Sequence, residues 1–361
     1  MRAAVLRNTG DELLEIVDGI ETAPLGPTDV RIEIKATGVC HSDAHAMNGS
    51  LPQGVPFVPG HEGAGVVTEV GSAVTGLAVG DHVIVAWSPP CGKCIACVDQ
   101  KSPHLCVMIQ FAVAGSPRFK EGDTDLFGMA GFGTFAESLV VPQEGAIKID
   151  DDVPFEIASL IGCGVTTGVG AAINTAKVTP GSTCAVIGCG GVGISVIQGC
   201  RIAGASTIVA VDLNDEKLET AKRFGATHAV KPDDLQGAIG ELTGMANGFD
   251  FTFEAIGLPQ TVRAAYDSAR RGGTVTVVGV GGFDKLVEFN MFELFFNEKT
   301  IHGSYYGSAD VRSDFNRLLR LWKTGRLDLE GMISGRIKID DVNDAIAKML
   351  RGETIRTVIE F

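Results

Sequence analysis

Four cysteines fall within sixteen residues of this chain, CGKCIACVDQKSPHLC. Cys91, Cys94 and Cys97 are separated by two residues each, and Cys106 follows after eight more. Two-residue gaps let neighbouring thiolates converge on one tetrahedral ion, with Gly92 easing the turn. A redox pair needs only two thiols, and the flanking SPPCGKC reads as loop, not as a strand entering a helix. The cluster reads as a structural zinc site, with an iron–sulfur or redox role as the alternative. Four thiolates leave no open coordination position, so such a site holds a loop and performs no chemistry. A second constellation is scattered. Cys40 is followed by His41, Ser42, Asp43 and His45; His61 and Glu62 sit in GHEG; Cys163 sits in GCG. Two thiolates and one imidazole make a three-ligand zinc site with one position open, the pattern of catalytic zinc. Taken singly, Cys163 reads as a small buried hydrophobe and His61 as a satisfied loop histidine.

A third signature lies in GSTCAVIGCGGVGISVIQGCRIAGASTIVAVDLNDEKL. An apolar strand ends at Ile187, Gly188, Gly190 and Gly193 follow in G-x-G-x-x-G order, and a second strand ends at Asp212, nineteen residues past Gly193. Glycine permits the tight turn and the close approach of backbone to a pyrophosphate, and the helix N-terminus attracts the phosphates. Asp212 accepts from ribose hydroxyls and repels a 2′-phosphate, so NAD is expected over NADP. A bare G-x-G-x-x-G is weak evidence; here the strand, the helix and the acid all stand at the right places.

Elements must position these residues. In DVRIEIKATGVC, Val30, Ile32 and Ile34 alternate with Arg31, Glu33 and Lys35, a strand that delivers Cys40 at its end. EGAGVVTEVG and GDHVIVA read as further short strands between glycine and proline turns, a mostly antiparallel and barrel-like β region. From about Val165 to Tyr306 the signals alternate: EKLETAKRFGA helix, FDFTFEAI strand, LPQTVRAAYDSARR helix, GTVTVVGVGG strand. Alternation of that kind predicts a doubly wound parallel sheet. The tail, DVNDAIAKMLRGETIRTVIEF, reads as a helix and a strand returning to the first region. The fold class is therefore α/β, with expected domains 1–164 plus 307–361 and 165–306. No internal repeat or low-complexity tract interrupts them.

Bulk properties narrow the partners. The chain has 361 residues, and 30 Lys and Arg against 44 Asp and Glu give a formal charge of −14. That surface repels phosphate backbones and anionic lipid, so neither nucleic acid nor membrane is an expected partner. The N-terminal MRAAVLRNTGDELLEIVDG does not read as a secretory signal, and no uninterrupted apolar run reads as long enough to span a bilayer. A cytoplasmic location follows, where clustered cysteines stay reduced and serve as ligands more often than as staples.

Taken together, GVCHSDAH, GHEGAGVV, CGKCIAC, GCGVTTG, GCGGVG, VDLNDEK and IRTVIEF, in that order along nearly the whole chain, resemble the zinc-containing alcohol dehydrogenases of the medium-chain dehydrogenase/reductase family. The resemblance implies a GroES-like catalytic domain and a Rossmann coenzyme domain. It implies two zinc ions per chain, a catalytic one on Cys40, His61 and Cys163 and a structural one on Cys91, Cys94, Cys97 and Cys106. One departure is the gap from Cys97 to Cys106, a residue longer than is usual in the family. Family logic gives Ser42 a hydrogen bond to the alcohol oxygen and the start of a proton path, through the coenzyme ribose, to His45. Asp43 orients His61, and Glu62 stands beside the zinc. Coenzyme contacts are implied for Thr167 and Val192 at the nicotinamide, for Gly188, Gly190, Gly191 and Gly193 at the pyrophosphate turn, for Asp212 and Lys217 at the adenosine ribose, and for His41 and Arg356 at the phosphates. Lys217 and Arg356 also read as solvated surface charge, and Ser42 and Asp43 as ordinary turn residues.

Trp87, Met129 and Ala130 fall where the family lines its substrate pocket, with Leu51 near the mouth. All four are apolar, so the expected substrate is a primary alcohol or aldehyde with a hydrophobic group. The alternative is a formaldehyde–thiol adduct of mycothiol or glutathione type. The glutathione-dependent branch, however, carries tyrosine at the position of His45 and aspartate at that of Leu51. A non-catalytic NAD-binding redox sensor is a further alternative; its mark, loss of a ligand or of the relay, is missing. NMFELFFNEKTIHGSYYG, apolar near the expected sheet edge, predicts a homodimer or homotetramer.

Overall fold

The computed structural model describes all 361 residues, Met1–Phe361. They form two compact units. The first comprises Met1–Cys163, Asp310–Thr324 and Leu329–Phe361; the second comprises Gly164–Ala309 and Gly325–Asp328. The sequence predicts boundaries after 164 and 306. The structure draws them after 163 and 309 and adds 325–328 to the second unit. The Gln198 side chain accounts for that addition: it accepts from the Asp328 N–H at 2.8 Å and donates to the Asp328 carbonyl at 3.0 Å.

The first unit is built on the strand Asp29–Val39. Its alternation is realised, with Val30, Ile32 and Ile34 buried and Glu33 exposed. Along one edge it pairs antiparallel with Glu62–Val70. The other edge is shared: Ser138–Pro142 pairs with its first half and Arg356–Glu360 with its last residues. His82–Val85, Ala146–Lys148 and Ile333–Ile337 complete a seven-stranded sheet. Its hydrogen-bonded order is an open, branched path; Ile333–Ile337 and Arg356–Glu360 are parallel and the other pairs antiparallel. Apolar side chains of these strands, with Phe57, Phe119, Phe132 and Phe135, make its core.

The second unit holds six parallel strands in the order His228–Val230, Thr207–Val211, Thr183–Ile187, Phe249–Glu254, Ala269–Val277, Thr300–Gly303. Chain order reverses between Thr183–Ile187 and Phe249–Glu254. In such sheets ligands bind outside the carboxyl ends of the strands at that switch point. The helix expected over LPQTVRAAYDSARR stops at Ser268. Ala269 pairs with Phe249, so Ala269, Arg270 and Arg271 already belong to the strand Ala269–Val277.

One expectation about apolar runs is corrected. The helix Phe155–Thr175 is long and apolar enough to cross a membrane by length and composition. Yet 83% of its apolar window is buried inside the structure, which makes it a core helix. It is not regular: π-helical turns occupy Ile161–Val165 and Ala171–Thr175, on either side of Thr166–Gly170. Such turns are frequent at functional sites.

Candidate functional site

Register brings the first site together. Gly38 pairs with Glu62, and Val39 pairs with Thr357, so the end of Asp29–Val39 places Cys40 near Glu62 on one neighbour and Arg356 on the other. His61 immediately precedes the strand Glu62–Val70, and Cys163 arrives on the π-helical turn. Ligand atoms of Cys40, His61, Glu62 and Cys163 all lie within 4.8 Å of one another, and all four residues are buried.

Asp43 arranges this set. It lies in the short helix His41–Met47, against the ordinary-turn reading, and is fully buried. Its Oδ2 accepts the Cys40 N–H at 2.8 Å, and its Oδ1 accepts the Gly60 N–H at 3.2 Å. The same Oδ1 lies 3.1 Å from His61 Nδ1, which fixes the proton there. His61 Nε2 is then left buried with no hydrogen-bond partner. An orphaned imidazole nitrogen beside two thiols and a carboxylate fits a zinc ion, with the aspartate behind the histidine as its orienting partner.

The donors perturb one another strongly. Cys163, then His61 and Arg356, hold the Cys40 thiol well below its ordinary range despite burial. Cys40 and burial push Cys163 well above it. Burial drives Glu62 up to about 7, with the Arg356 guanidinium opposing. Burial disfavours the charged form of Arg356, but Glu62 and the thiols raise its pKa above the ordinary value. Arg356 is only 4% exposed. Its Nη2 stands 3.3 Å from Glu62 Oε1, so the solvated-surface reading of this residue fails.

Around the donors, Ser42 Oγ lies 3.8 Å from Cys40 Sγ. His45, one turn along the same helix, has a buried Nδ1 with no partner, while His41 at the helix start is exposed. The Trp87 ring stands edge-on to the His61 ring, with centroids 6.3 Å apart, so it borders the donor set. The Leu51 N–H donates to the His45 carbonyl at 2.9 Å. Met129 is buried, and Ala130 takes the left-handed φ of +52°. The Ala130 N–H donates to Gln53 Oε1 at 3.0 Å. Gln53 was not anticipated, because no motif or spacing marks it.

The cysteine cluster forms a separate centre in the same unit. Cys91, Cys94, Cys97 and Cys106 bring their sulfurs within 4.8 Å of one another. Cys94 and Cys97 sulfurs are 3.6 Å apart. That is close to the edge of about 3.8 Å expected for a tetrahedron of sulfurs at about 2.3 Å from zinc. The longer gap is taken up by the helix Ile95–Val98 and the turn Pro103–Leu105, which leave Cys106 buried, its sulfur accepting the Cys91 N–H at 3.3 Å. The Lys93 and Cys94 N–H groups hold the Cys91 thiol down at about 7, and burial with Cys94 pushes Cys97 up to about 12.

In the second unit, Gly188 follows the strand Thr183–Ile187, and the helix Gly191–Ile202 opens at Gly191 and Val192. A side chain at Gly193 would put its Cβ 1.8 Å from the Gly188 carbonyl oxygen, so only glycine lets the helix start this close to the strand. Asp212 immediately follows the next strand, Thr207–Val211, with Oδ2 accepting the Cys189 N–H at 2.8 Å and Oδ1 the Asn214 N–H at 3.0 Å. Both bonds fix the carboxylate at the mouth of the glycine turn. Lys217 stands in the first turn of Asp215–Arg223, which Asn214 caps. Thr167, partly exposed, follows the first π-helical turn. Thus the predicted residues collect into three groups, two thiol-bearing centres in the first unit and a glycine-rich crevice in the second.

Known proteins resemble this chain in sequence and fold. Residues 26–151 match the alcohol dehydrogenase GroES-like domain family, and residues 191–324 match the zinc-binding dehydrogenase family. S-(hydroxymethyl)glutathione dehydrogenase of Escherichia coli O1:K1 / APEC is 40% identical over 370 residues, covering 100% of this chain and 99% of that protein. Among solved structures, an alcohol dehydrogenase zinc-binding domain protein from Burkholderia ambifaria matches with a TM-score of 0.93 and 32% identity, over 100% of this chain and 98% of that one. Benzyl alcohol dehydrogenase from Acinetobacter calcoaceticus matches with a TM-score of 0.91 and 30% identity, over 100% and 99%.

Proposed function

Because the chain belongs to the zinc-dependent alcohol dehydrogenases of the medium-chain dehydrogenase/reductase family, we propose that this oxidoreductase interconverts a primary alcohol bearing a hydrophobic group and its aldehyde, with NAD(H) as coenzyme. The observation that carries the reaction is that His61, with its Nε2 buried and without a hydrogen-bond partner, belongs to a donor set with Cys40 and Cys163 whose ligand atoms lie within 4.8 Å of one another. When bound, zinc on Cys40, His61 and Cys163 supplies a Lewis acid and NAD the hydride acceptor. The protein's own residues do the rest. Asp43 fixes the His61 tautomer. The Ser42 hydroxyl, beside Cys40, accepts and donates in turn and so can hold the departing proton. His45 passes that proton toward water. Glu62 offers a further oxygen beside the donors. Asp212 and Lys217 hold the adenosine ribose, the glycine turn the pyrophosphate, and His41 and Arg356 the phosphates. Cys91, Cys94, Cys97 and Cys106 close the structural zinc site.

Trp87 on the edge of His61 supports the substrate class, and Leu51, Met129 and Ala130 are proposed as further apolar lining. A second reading draws on the S-(hydroxymethyl)glutathione dehydrogenases: a formaldehyde–thiol adduct as substrate. A coenzyme-reduction assay decides between them. NADH should form with benzyl alcohol and medium-length primary alcohols, and not with formaldehyde plus glutathione or mycothiol. Turnover confined to the thiol adducts would overturn the first reading.

We propose a homo-oligomer as well. Met291, Phe292 and Phe295 are 86%, 67% and 81% exposed on the helix Met291–Asn297, and the edge strand Thr300–Gly303 is exposed throughout. Arg263 holds that helix through Glu293, and Arg271 donates to the Phe296 carbonyl at 2.9 Å, so the apolar face is presented rigidly. Light scattering should give a dimer or tetramer mass, and a monomer at micromolar concentration would refute it. The thiol ligand sets support a cytoplasmic location, where cysteines stay reduced.

A further inference from the structure

Three consecutive residues of the second unit, Tyr306, Gly307 and Ser308, take left-handed φ values of +51°, +64° and +49°. L-residues visit that region singly, not in runs. Runs of this kind persist only where the surroundings over-determine them, and they gather at functional sites. Here the surroundings are specific. Thr175 Oγ1 lies 2.9 Å from Ser304 Oγ and 2.8 Å from Ser308 Oγ, and the Asn174 amide donates to the Gly307 carbonyl at 3.2 Å. Thr175 and Asn174 end the second π-helical turn, Ala171–Thr175. The turn they grip is pressed against the preceding stretch of the same helix. A Cβ at Gly307 would stand 2.3 Å from the Thr166 carbonyl oxygen and 2.9 Å from both the Gly170 Cα and the Thr167 carbonyl oxygen.

We propose that Asn174, Thr175, Ser304 and Ser308 are positioning residues that clasp the left-handed turn against Thr166–Gly170 and so set where Thr167 meets the nicotinamide end of the coenzyme. The proposal rests on the reading above that Thr167 touches the nicotinamide. The geometry gives the reason. A side-chain-free Gly307 lets the turn contact backbone carbonyls directly, so its position is transmitted to Thr167 through atoms that cannot change rotamer. The two π-helical turns that bracket Thr166–Gly170 detach that stretch from regular helical register; Gly168 packs it against Val192 and Ser195, and the clasp holds it at Gly170. The adenosine end is held by other elements, the Gly188–Gly193 turn and Asp212. Loosening the clasp should therefore cost nicotinamide contacts and leave adenosine contacts alone.

Calorimetric titration of the full-length holoenzyme with NADH and with ADP-ribose, which lacks the nicotinamide, separates the two ends. Thr175→Val keeps the β-branched shape and removes both hydroxyl bonds. It should weaken NADH about tenfold, the effect of one or two neutral hydrogen bonds, and leave ADP-ribose unchanged. Thr175→Ser should restore NADH binding. If Thr175→Val does not fold, Ser308→Ala carries the same test, with a smaller shift in the same ratio. Equal weakening of both ligands, or of neither, would overturn the proposal, since a merely structural clasp moves them together. Thr167→Ala measured alongside separates this from the underlying reading. A ratio changed by Thr167→Ala but not by Thr175→Val removes the clasp and keeps Thr167. A ratio changed by Thr175→Val but not by Thr167→Ala keeps the clasp and removes Thr167 as the contact. A parent protein that binds neither ligand removes both.

Discussion

Single atoms decide most at the zinc-ligand set and its proton path. The His61 Nδ1–H is committed to Asp43, which leaves the other ring nitrogen to serve as the proposed zinc ligand. Ser42 and His45 share one short helix, and the buried Nδ1 of His45 has no partner to compete for a proton. His45→Gln should slow single-turnover alcohol oxidation roughly tenfold near neutral pH, below the usual range for direct general-base catalysis because the histidine acts at a distance. The loss should shrink at higher pH, where hydroxide takes the proton. Stopped-flow rates across pH that coincide for variant and parent would leave His45 a bystander. Asp212, pinned by Cys189 and Asn214, should favour NAD, and Asp212→Gly should narrow or invert the preference. Equal kcat/KM for NAD and NADP in the parent would contradict that placement. Cys40, His61 and Cys163 are suggested by the family resemblance of GVCHSDAH, GHEGAGVV and GCGVTTG, whereas singly Cys163 reads as a small buried hydrophobe and His61 as a satisfied loop histidine. Gln53 and the Arg356–Glu62 pair were not legible, since an ordinary glutamine carries no motif and a cross-strand ion pair depends on register.

Elements convert that chemistry into geometry through register and close approach. Asp29–Val39 was readable from its alternation, yet which strands share its far edge was not, because pairing is set by contacts distant in sequence. The same limit hid the start of the strand at Ala269: helix propensity favoured SARR, and pairing with Phe249 overrode it. Deviations inside helices were least visible. Nothing in IGCGVTTGVGAAINT distinguishes π-helical from α-helical turns, although its glycines do signal close packing. The glycine turn was the clearest element, and it supports a direct prediction. Gly193→Ala puts a Cβ where the structure leaves 1.8 Å to the Gly188 oxygen. Overpacking of that order costs about 1–3 kcal/mol, roughly tenfold or more in NADH affinity where the turn must open to relieve it. Zinc content should be unchanged, because both metal centres belong to the other unit. Titration giving parent-like NADH affinity for Gly193→Ala would show that this turn does not cradle the coenzyme.

Over the whole molecule, the two-unit plan was legible from the change of period, short alternating strands giving way to strand–helix alternation. The four residues 325–328, lent to the second unit by Gln198, were not, since a side-chain-to-backbone clasp leaves no pattern. The apolar core helix Phe155–Thr175 also escaped notice, because glycines and threonines dilute its hydrophobicity along the sequence. At this scale the two metal centres should have separable roles. Cys106→Ser removes a ligand from a closed four-sulfur site and should lower thermal stability more than it alters turnover. Cys163→Ser removes a ligand from the set with an open position and should abolish turnover with the fold intact. The central claim is that one of two zinc ions per chain sits at the reacting centre. Elemental analysis of freshly purified, fully active protein tests it most directly, with the parent and Cys163→Ser assayed for NADH formation on the same samples. Two zinc ions per chain are expected in the parent, and one zinc with no turnover in Cys163→Ser. One zinc or none in fully active parent, or parent-like turnover by Cys163→Ser, would contradict it.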